Sequence, residues 1–212
     1  MLTWLKNKIS EKIARTYQEL HTQKLQNMSK NLPKELVRVN EVLATLNNNS
    51  WAVHHLFKKA RHKKQYANAF LYFFYSFELT LKHLIISEMN LINMEATLLN
   101  LKNGMDFFLI YKENQILELL EDRNTAGSLI TKFINIFPNY KYPADLCIIN
   151  TERNNIIHNM LKKEMSEVSI ERSFEEFFSK CDLAIRNMLV EFDSIFAKRP
   201  KNFLEKLAHI KL

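Results

Sequence analysis

The segment Tyr66–Met89 reads YANAFLYFFYSFELTLKHLIISEM and is the most apolar stretch of the 212-residue chain. Apolar residues recur along it at intervals of three and four, the spacing that places side chains on one face of a helix. The residues on that face are Phe70, Phe74, Phe77, Leu81, Leu84 and Ile85. Further aromatic residues surround this face, so the pattern predicts a helix at the centre of the fold.

The composition of the whole chain favours an all-α fold. The sequence contains only 2 Gly and 4 Pro, the residues that turns require most often. A β-rich or doubly wound α/β chain of this length would normally contain more of both. A hydrophobic content of 47% is enough to bury one substantial core.

Helical spacing and turn signals predict the remaining elements. We expect helices at residues 2–27, 33–46, from 95 with a break at Gly104, 110–121, 129–137, 144–165 and 168–197. Breaks are predicted at NNNSWAV (47–53), where Ser50 would cap the next helix, at DRNTAGS (122–128) with Gly127 as its pivot, at FPNYKYP (137–143) and at Lys198–Pro200. These elements predict an N-terminal helical extension at 1–60, a helical bundle at 61–200 and a short helix or tail at 201–212.

Charge and cysteine usage narrow the function classes. A net charge of +7 favours a polyanionic partner that is bound through its phosphates. Cys147 and Cys181 have no metal-ligand spacing and are expected to be buried, reduced thiols, so we expect neither a metal nor a cofactor. No continuous apolar run reaches the length of a membrane span, and the first residues do not have the pattern of a secretory signal, so we expect a cytoplasmic protein.

A basic run, HHLFKKARHKK, occupies His54–Lys64. Its cationic residues are Lys58, Lys59, Arg61, Lys63 and Lys64. As a functional surface this run would contact RNA phosphates, and as a structural one it would be a solvated helix face or a connector.

The segment Thr151–Met160 reads TERNNIIHNM and carries polar residues within a helical pattern. At 100° per residue, Arg153 falls inside the apolar stripe of its helix, whereas Asn154 and His158 are neighbours outside that stripe. An unpaired guanidinium that is removed from water costs several kcal/mol. Arg153 must therefore pair with a carboxylate such as Glu78, reach water, or face a second chain or an anion.

Glu78 itself has two interpretations. It lies on the flank of the central helix and could pair with Lys82 at the surface. Alternatively, it is an inward carboxylate that holds a buried cation.

Arginine, histidine and asparagine together can cleave RNA without a metal. A histidine removes the 2′-hydroxyl proton, the oxygen attacks the adjacent phosphorus, and an arginine stabilises the developing negative charge. With one histidine per chain, the same side chain would have to act as both the general acid and the general base. Two copies of the chain that face each other across a two-fold axis would supply a second set.

The motif Arg153-Asn154-Asn155-Ile156-Ile157-His158 resembles the signature of the HEPN superfamily, in which an arginine, often followed by a polar residue, is separated from a histidine by four to six residues. The resemblance covers roughly residues 65–197. It implies a helical bundle that dimerises through the motif helices and acts as a metal-independent ribonuclease in toxin–antitoxin or antiviral systems. Arg153, His158 and Asn154 would be catalytic, with Glu78 and Asn155 supporting them.

The resemblance also implies partners: RNA, a second copy of the chain, and an inhibitor or antitoxin protein. One subfamily carries a tyrosine two residues after the histidine as the target of its antitoxin, and Met160 stands there in this chain. Two alternatives to the enzyme remain open. They are a non-catalytic helical interaction protein, in which Arg153 is an interface residue, and a nucleic-acid-binding module that uses the basic run.

Overall fold

The structure is a computed structural model that describes residues 34–102, 109–121, 125–162 and 166–209. These residues form six α-helices and contain no strand, which confirms the predicted all-α fold. The helices are α1 (Lys34–His62), α2 (Tyr66–Lys102), α3 (Glu113–Leu117), α4 (Ala126–Ile136), α5 (Pro143–Lys162) and α6 (Glu167–His209), and a 3₁₀ turn at Glu118–Leu120 follows α3.

The chain divides into two units, Met1–Glu41 and Val42–Leu212. The helices that carry the candidate site belong to the second unit. The predicted helix at residues 2–27 and the predicted break at Gly104 lie outside the described residues.

Phenylalanines of α1, α2 and α6 build the centre of the second unit. The Phe73 ring lies 5.5 Å from Phe57 and 5.3 Å from Phe177, and Phe57 lies 5.3 Å from Phe178. Most of these pairs are tilted or edge-to-face, the arrangement that the ring quadrupoles favour. Each buried phenylalanine contributes roughly 1.5–3 kcal/mol by leaving water.

Helix α2 is central, as its sequence predicts. All six residues of its predicted apolar face are buried, from Leu81 and Ile85 at 0% to Phe70 and Leu84 at 8% exposure. It packs against α1, α4 and α6. By length and composition alone, Tyr66–Thr97 could cross a membrane, and 67% of its most apolar 18-residue window is buried within the fold; the core helix of a soluble protein has the same properties.

A second aromatic cluster joins α4 and α6 through the turn that follows α4. Phe133, Phe137 and Phe192 are buried with ring centroids 4.8–5.4 Å apart. Tyr140 packs 5.3 Å from Phe133, but its hydroxyl has no hydrogen-bond partner among the described residues. Burial raises the pKa of that hydroxyl, and the charges of nearby carboxylates add to the effect. The predicted turn at 137–143 is confirmed, and Pro143 is the first residue of α5.

Helix α1 corrects the predicted break at 47–53, because it continues through this segment to His62. Ser50 caps no helix; its hydroxyl lies 3.0 Å from the Thr80 hydroxyl on α2. Leu46 and Val53 are buried on either side of it. Packing against α2 therefore outweighs the weak helix propensity of the three asparagines in this segment.

Three other predicted boundaries are wrong. Helix α2 runs on to Lys102 instead of restarting near residue 95, and α6 runs past Lys198–Pro200 to His209. Helix α4 begins at Ala126, where the Thr125 side chain accepts a hydrogen bond from the Ser128 amide. Gly127 thus lies in the first turn of α4, where an added Cβ would stand 3.6 Å from the Asn150 side chain of α5.

The two cysteines differ in exposure, which corrects the expectation that both are buried. Cys181 is fully buried, whereas Cys147 is exposed on α5. Burial raises the pKa of the Cys181 thiol to about 12. Cys181 is therefore an inert core residue, and the accessible thiol belongs to the helix that carries the Arg153 motif.

Candidate functional site

Helix α5 carries the motif and is held on α6 in an antiparallel orientation. The Asn187 amide donates to Asp145 at 2.9 Å near the start of α5, and Lys180 pairs with Glu152 at 3.2 Å two turns later. Leu146, Ile149 and Ile156 of α5 are buried, as predicted for the apolar stripe, whereas Ile157 of the same stripe is half-buried.

Arg153 lies on the buried side of α5, and its contact is with an aromatic ring. The guanidinium carbon stands 5.3 Å from the centroid of the Phe74 ring on α2, and the arginine is half-buried. Phe74 is itself 7% exposed and packs on Phe70 and Phe177. The stem of Arg153 thus extends the apolar stripe, and the charge rests on the negative face of a ring.

Glu78, the carboxylate suggested as a partner of Arg153, stays a predicted partner. Glu78 is half-buried one turn beyond Phe74 on α2. Lys82, predicted as its surface partner, is 8% exposed and donates to the carbonyl oxygen of Leu120 at 3.5 Å. Lys82 is therefore buried and not at the surface, and its pairing with Glu78 stays a prediction.

A guanidinium over a ring keeps its hydrogen-bonding capacity. Its N–H donors lie in the plane of the group, so contact through the face leaves them directed outward. Arg153 is half-buried, so part of its side chain is open to solvent. Phosphate oxygens match the forked geometry of such donors.

The other motif residues face solvent. His158, Asn154 and Asn155 are all exposed, as is Thr151 on the same side of α5. His158 lies five positions after Arg153, which corresponds to about 140° around the helix and about 7.5 Å along it. Within one chain, the two side chains therefore point in different directions, Arg153 towards α2 and His158 outward.

The basic run divides into one paired residue and four exposed ones. Arg61 donates to Glu175 at 2.8 Å and to Asp182 at 3.4 Å on α6, and its guanidinium lies 5.1 Å from the centroid of the Phe178 ring. Desolvation alone would lower the pKa of Arg61, but the hydrogen bonds and charges of the two carboxylates outweigh it and raise that pKa. Arg61 thus joins α1 to α6.

The four lysines of the run, Lys58, Lys59, Lys63 and Lys64, are exposed. Lys64 adopts a left-handed conformation with φ of 56° at the end of α1. The Lys64 amide donates to Arg61 and the Gln65 amide to Ala60, the pattern that closes a helix at a residue of positive φ. This turn fixes Lys63 and Lys64 at the corner between α1 and α2.

An open pocket of about 310 Å³, which the sequence patterns do not predict, lies between α2, α3 and α4. It is lined by Ile85 and Met89 at its base and by Glu118 and Lys132, among others, at its rim, and none of its lining residues belongs to α5. The pocket is thus formed by different helices from those that carry the Arg153 motif.

Among the residues that the structure describes, no three His, Cys, Asp or Glu side chains come together as a metal site. A scan against protein-family models finds no match, and searches of curated proteins and of solved structures find no significant match either. The candidate site therefore has to be judged on its own geometry and chemistry.

Proposed function

We propose that this protein is a metal-independent endoribonuclease of HEPN type, a cytoplasmic toxin or antiviral-defence effector that acts as a homodimer through α5. The observation that carries the proposal is the exposed state of the motif: His158 and Asn154 face solvent, and the guanidinium of Arg153 lies over the Phe74 ring, with its N–H donors directed away from the ring. Nothing on the described surface of α5 gives these polar groups a structural partner that would explain them.

Two copies are needed because of the angle between the motif residues. Arg153 and His158 of one chain lie about 140° apart around α5, so they do not both reach one scissile phosphate from the same side. If two α5 helices cross near Asn154, His158 of one copy approaches the Arg153 of the other. Such a groove would offer two histidines and two arginines.

The chemistry follows from these groups. One His158 removes the proton from the ribose 2′-hydroxyl, and the oxygen attacks the adjacent phosphorus. The Arg153 fork stabilises the charge that develops on the phosphoryl oxygens, and Asn154 orients the imidazole or the hydroxyl. The second His158 gives a proton to the departing 5′-oxygen, so that a 2′,3′-cyclic phosphate and a 5′-hydroxyl are formed.

Cleavage of mixed RNA in the presence of EDTA tests the proposal. We expect cleavage by the wild type and a loss of at least about 100-fold in Arg153→Ala and His158→Ala, as for removal of a group that stabilises transition-state charge. Arg172→Ala is the matched control, since Arg172 is exposed on α6. Cleavage that persists in both motif variants would refute the proposal.

Mixing the wild type with His158→Ala tests the composite site. A mixed dimer has one His158 in its groove, whereas the mechanism uses two, one as the base and one as the acid. Co-expression in equal amounts should therefore leave about a quarter of the activity of wild-type dimers at the same total concentration, since only a quarter of the dimers carry two wild-type copies. If the residues act within one chain, about half of the activity remains.

The role as a toxin or antiviral effector has a cellular test. Expression of the wild type should arrest growth, and His158→Ala should relieve the arrest at equal protein level. An inhibitor protein, if it acts on this chain, should restore growth without lowering that level.

A second candidate function is a nucleic-acid-binding module without catalysis. The observation that favours it is the group of four exposed lysines at the end of α1. Under this function, purified protein binds RNA, no cleavage occurs, and Arg153→Ala leaves the affinity unchanged.

A further inference from the structure

The region from Val42 to Phe77 is unusual in its charge. It contains five Lys or Arg and three His but no Asp or Glu. In the structure, the basic residues occupy the last turns of α1 and the corner that follows. The carboxylates that pair with Arg61 are Glu175 and Asp182 of α6.

One face of α1 combines these cations with an exposed tryptophan. We name it the α1 basic face, and its residues are Trp51, His55, Lys58, Lys59, His62, Lys63 and Lys64, all exposed. Its five helical members fall within an arc of about 100° around the helix. The buried residues of α1, Leu46, Val53, Phe57 and Ala60, lie on the opposite side. Trp51 is 46% exposed, although tryptophan is a residue that normally buries most of its surface.

We infer that the α1 basic face binds single-stranded RNA, with Trp51 as the platform on which one base stacks and the lysines as phosphate contacts. The inference deepens the proposed function, since it places the substrate strand outside the groove of α5. Aromatic rings beside a row of cations are how proteins hold single strands, because every base has a π face and every nucleotide a phosphate.

The geometry suits a strand that runs along the helix. Trp51 and His62 are eleven positions apart, which corresponds to about 16 Å along α1. The Trp51 ring stands perpendicular to the His54 ring at 6.4 Å, a contact that restricts its rotation. The closing turn at Lys64 fixes the other end of the face. Bases of a duplex are already stacked on each other and are not available to Trp51, so a single strand is favoured.

An acidic membrane surface is the other partner that a tryptophan and lysines fit, but the face lacks the apolar area that such a helix inserts. Trp51 is its only large apolar side chain. The nearest exposed leucine, Leu56, lies about 140° from Trp51 around the helix. Charge and one stacking ring, without an apolar stripe, match a nucleic acid strand better.

The test uses a full-length chain with Trp4→Phe, so that Trp51 is the fluorescent tryptophan, and His158→Ala, so that the RNA stays intact. A labelled single-stranded RNA oligonucleotide is titrated and followed by fluorescence anisotropy and by Trp51 emission. We expect the emission to be quenched on binding. Trp51→Ala should weaken affinity roughly tenfold or more, the effect of losing one base stack, whereas Trp51→Phe should keep most of it.

Controls separate stacking and charge from general surface effects. Tyr75→Ala removes another aromatic residue, 54% exposed on α2, and should not change affinity. Lys58→Gln with Lys59→Gln should reduce the slope of log affinity against log salt by about 1.4, which corresponds to two phosphate contacts on a single strand. The matched Lys58→Arg with Lys59→Arg should keep the slope.

The outcomes distinguish this inference from the proposed function. RNA binding that depends on Trp51, without any cleavage by the wild type, supports the inference and defeats the nuclease. Cleavage with an unchanged KM in Trp51→Ala, or binding without quenching of Trp51, overturns the inference and leaves the nuclease standing. Binding to phosphatidylserine vesicles with no affinity for RNA also overturns it, as does equal affinity for duplex and single-stranded RNA.

Discussion

Replacement of Arg153 by methionine separates a structural role of this residue from a functional one. Methionine keeps an unbranched apolar side chain of similar length beside Phe74 but removes the guanidinium, which lies 5.3 Å from the ring centroid. A cation over a ring is worth roughly 0.5–1 kcal/mol at an exposed site and about 2 when desolvated. Because Arg153 is half-buried, we take about 1 kcal/mol as the loss.

The removal of a partly desolvated charge offsets part of that loss. The free energy of unfolding of Arg153→Met should therefore stay within about 1 kcal/mol of the wild type, while RNA cleavage falls by at least about 100-fold. Urea denaturation followed by far-UV circular dichroism measures the free energy of unfolding, and cleavage of RNA in EDTA measures the activity. A double-mutant cycle with Phe74→Leu should give a coupling energy of about 0.5–1 kcal/mol.

Arg61→Met is the matched control, because Arg61 also lies over a phenylalanine ring but is held by Glu175 and Asp182. We expect this variant to lose about 1 kcal/mol of stability, since the ion pairs are partly solvated, and to cleave RNA as the wild type does. The reasoning fails if Arg153→Met loses more than about 3 kcal/mol, because such a cost indicates a buried charge left without its partner. It also fails if cleavage depends on Arg61 and not on Arg153.

The remaining predictions concern stability. Burial lowers the pKa of His83 to about 4 from 6.5, so the unfolded chain binds the proton more tightly. The contribution of His83 to the free energy of unfolding should be constant above pH 6.5 and fall by at most about 3 kcal/mol as the pH drops to 4. The difference between wild type and His83→Gln in urea denaturation at each pH measures this contribution. Tyr140→Phe removes a buried hydroxyl without a partner among the described residues, so thermal unfolding should show a gain of about 1 kcal/mol, and a loss would reveal a hidden hydrogen bond. Lys64→Gly relieves the positive φ of 56° and should gain about 0.5–1 kcal/mol in urea denaturation, whereas Lys59→Gly inside α1 should lose about 1.

Long periodic segments are where the sequence predicts the structure well. The apolar face of α2 is confirmed at every one of its six predicted positions, and so is the stripe of Leu146, Ile149 and Ile156 on α5. In both cases, apolar residues recur at helical spacing several times within the segment itself. The turn at 137–143 is equally local, since its two prolines restrict the backbone directly.

Features that depend on distant contacts are where the prediction fails. Asn47, Asn48 and Asn49 favour a break by local propensity, but α1 continues, since Leu46 and Val53 are buried and Ser50 contacts Thr80 on α2. Gly127 has the appearance of a loop pivot, yet it lies in the first turn of α4, where the Asn150 side chain of α5 is an ordinary van der Waals neighbour. For α1, the deciding contact lies on another helix, so no local pattern contains it.

The same limit applies to the partner of Arg153. Reasoning from the sequence correctly places an arginine inside an apolar stripe and requires something to compensate its charge. The sequence does not indicate whether a carboxylate or a ring compensates this charge, because Glu78 and Phe74 are one turn apart on α2. In the structure, the guanidinium contacts the Phe74 ring, and this contact through its face leaves its N–H donors directed outward.

Arg61 and Arg153 show what this choice means for function. Both guanidinium groups rest on phenylalanine rings, at 5.1 and 5.3 Å from the centroids. Arg61 also donates to two carboxylates, so its charge is compensated and an added phosphate would have to displace them. Among the described residues, the contact of Arg153 is the Phe74 ring, so a phosphate would reach its donors without displacing an ion pair of this kind. An anion should therefore raise the stability of the wild type and of Arg61→Met but not of Arg153→Met, and a thermal shift with inorganic phosphate that is equal in all three would show that Arg153 is a packing residue like any other.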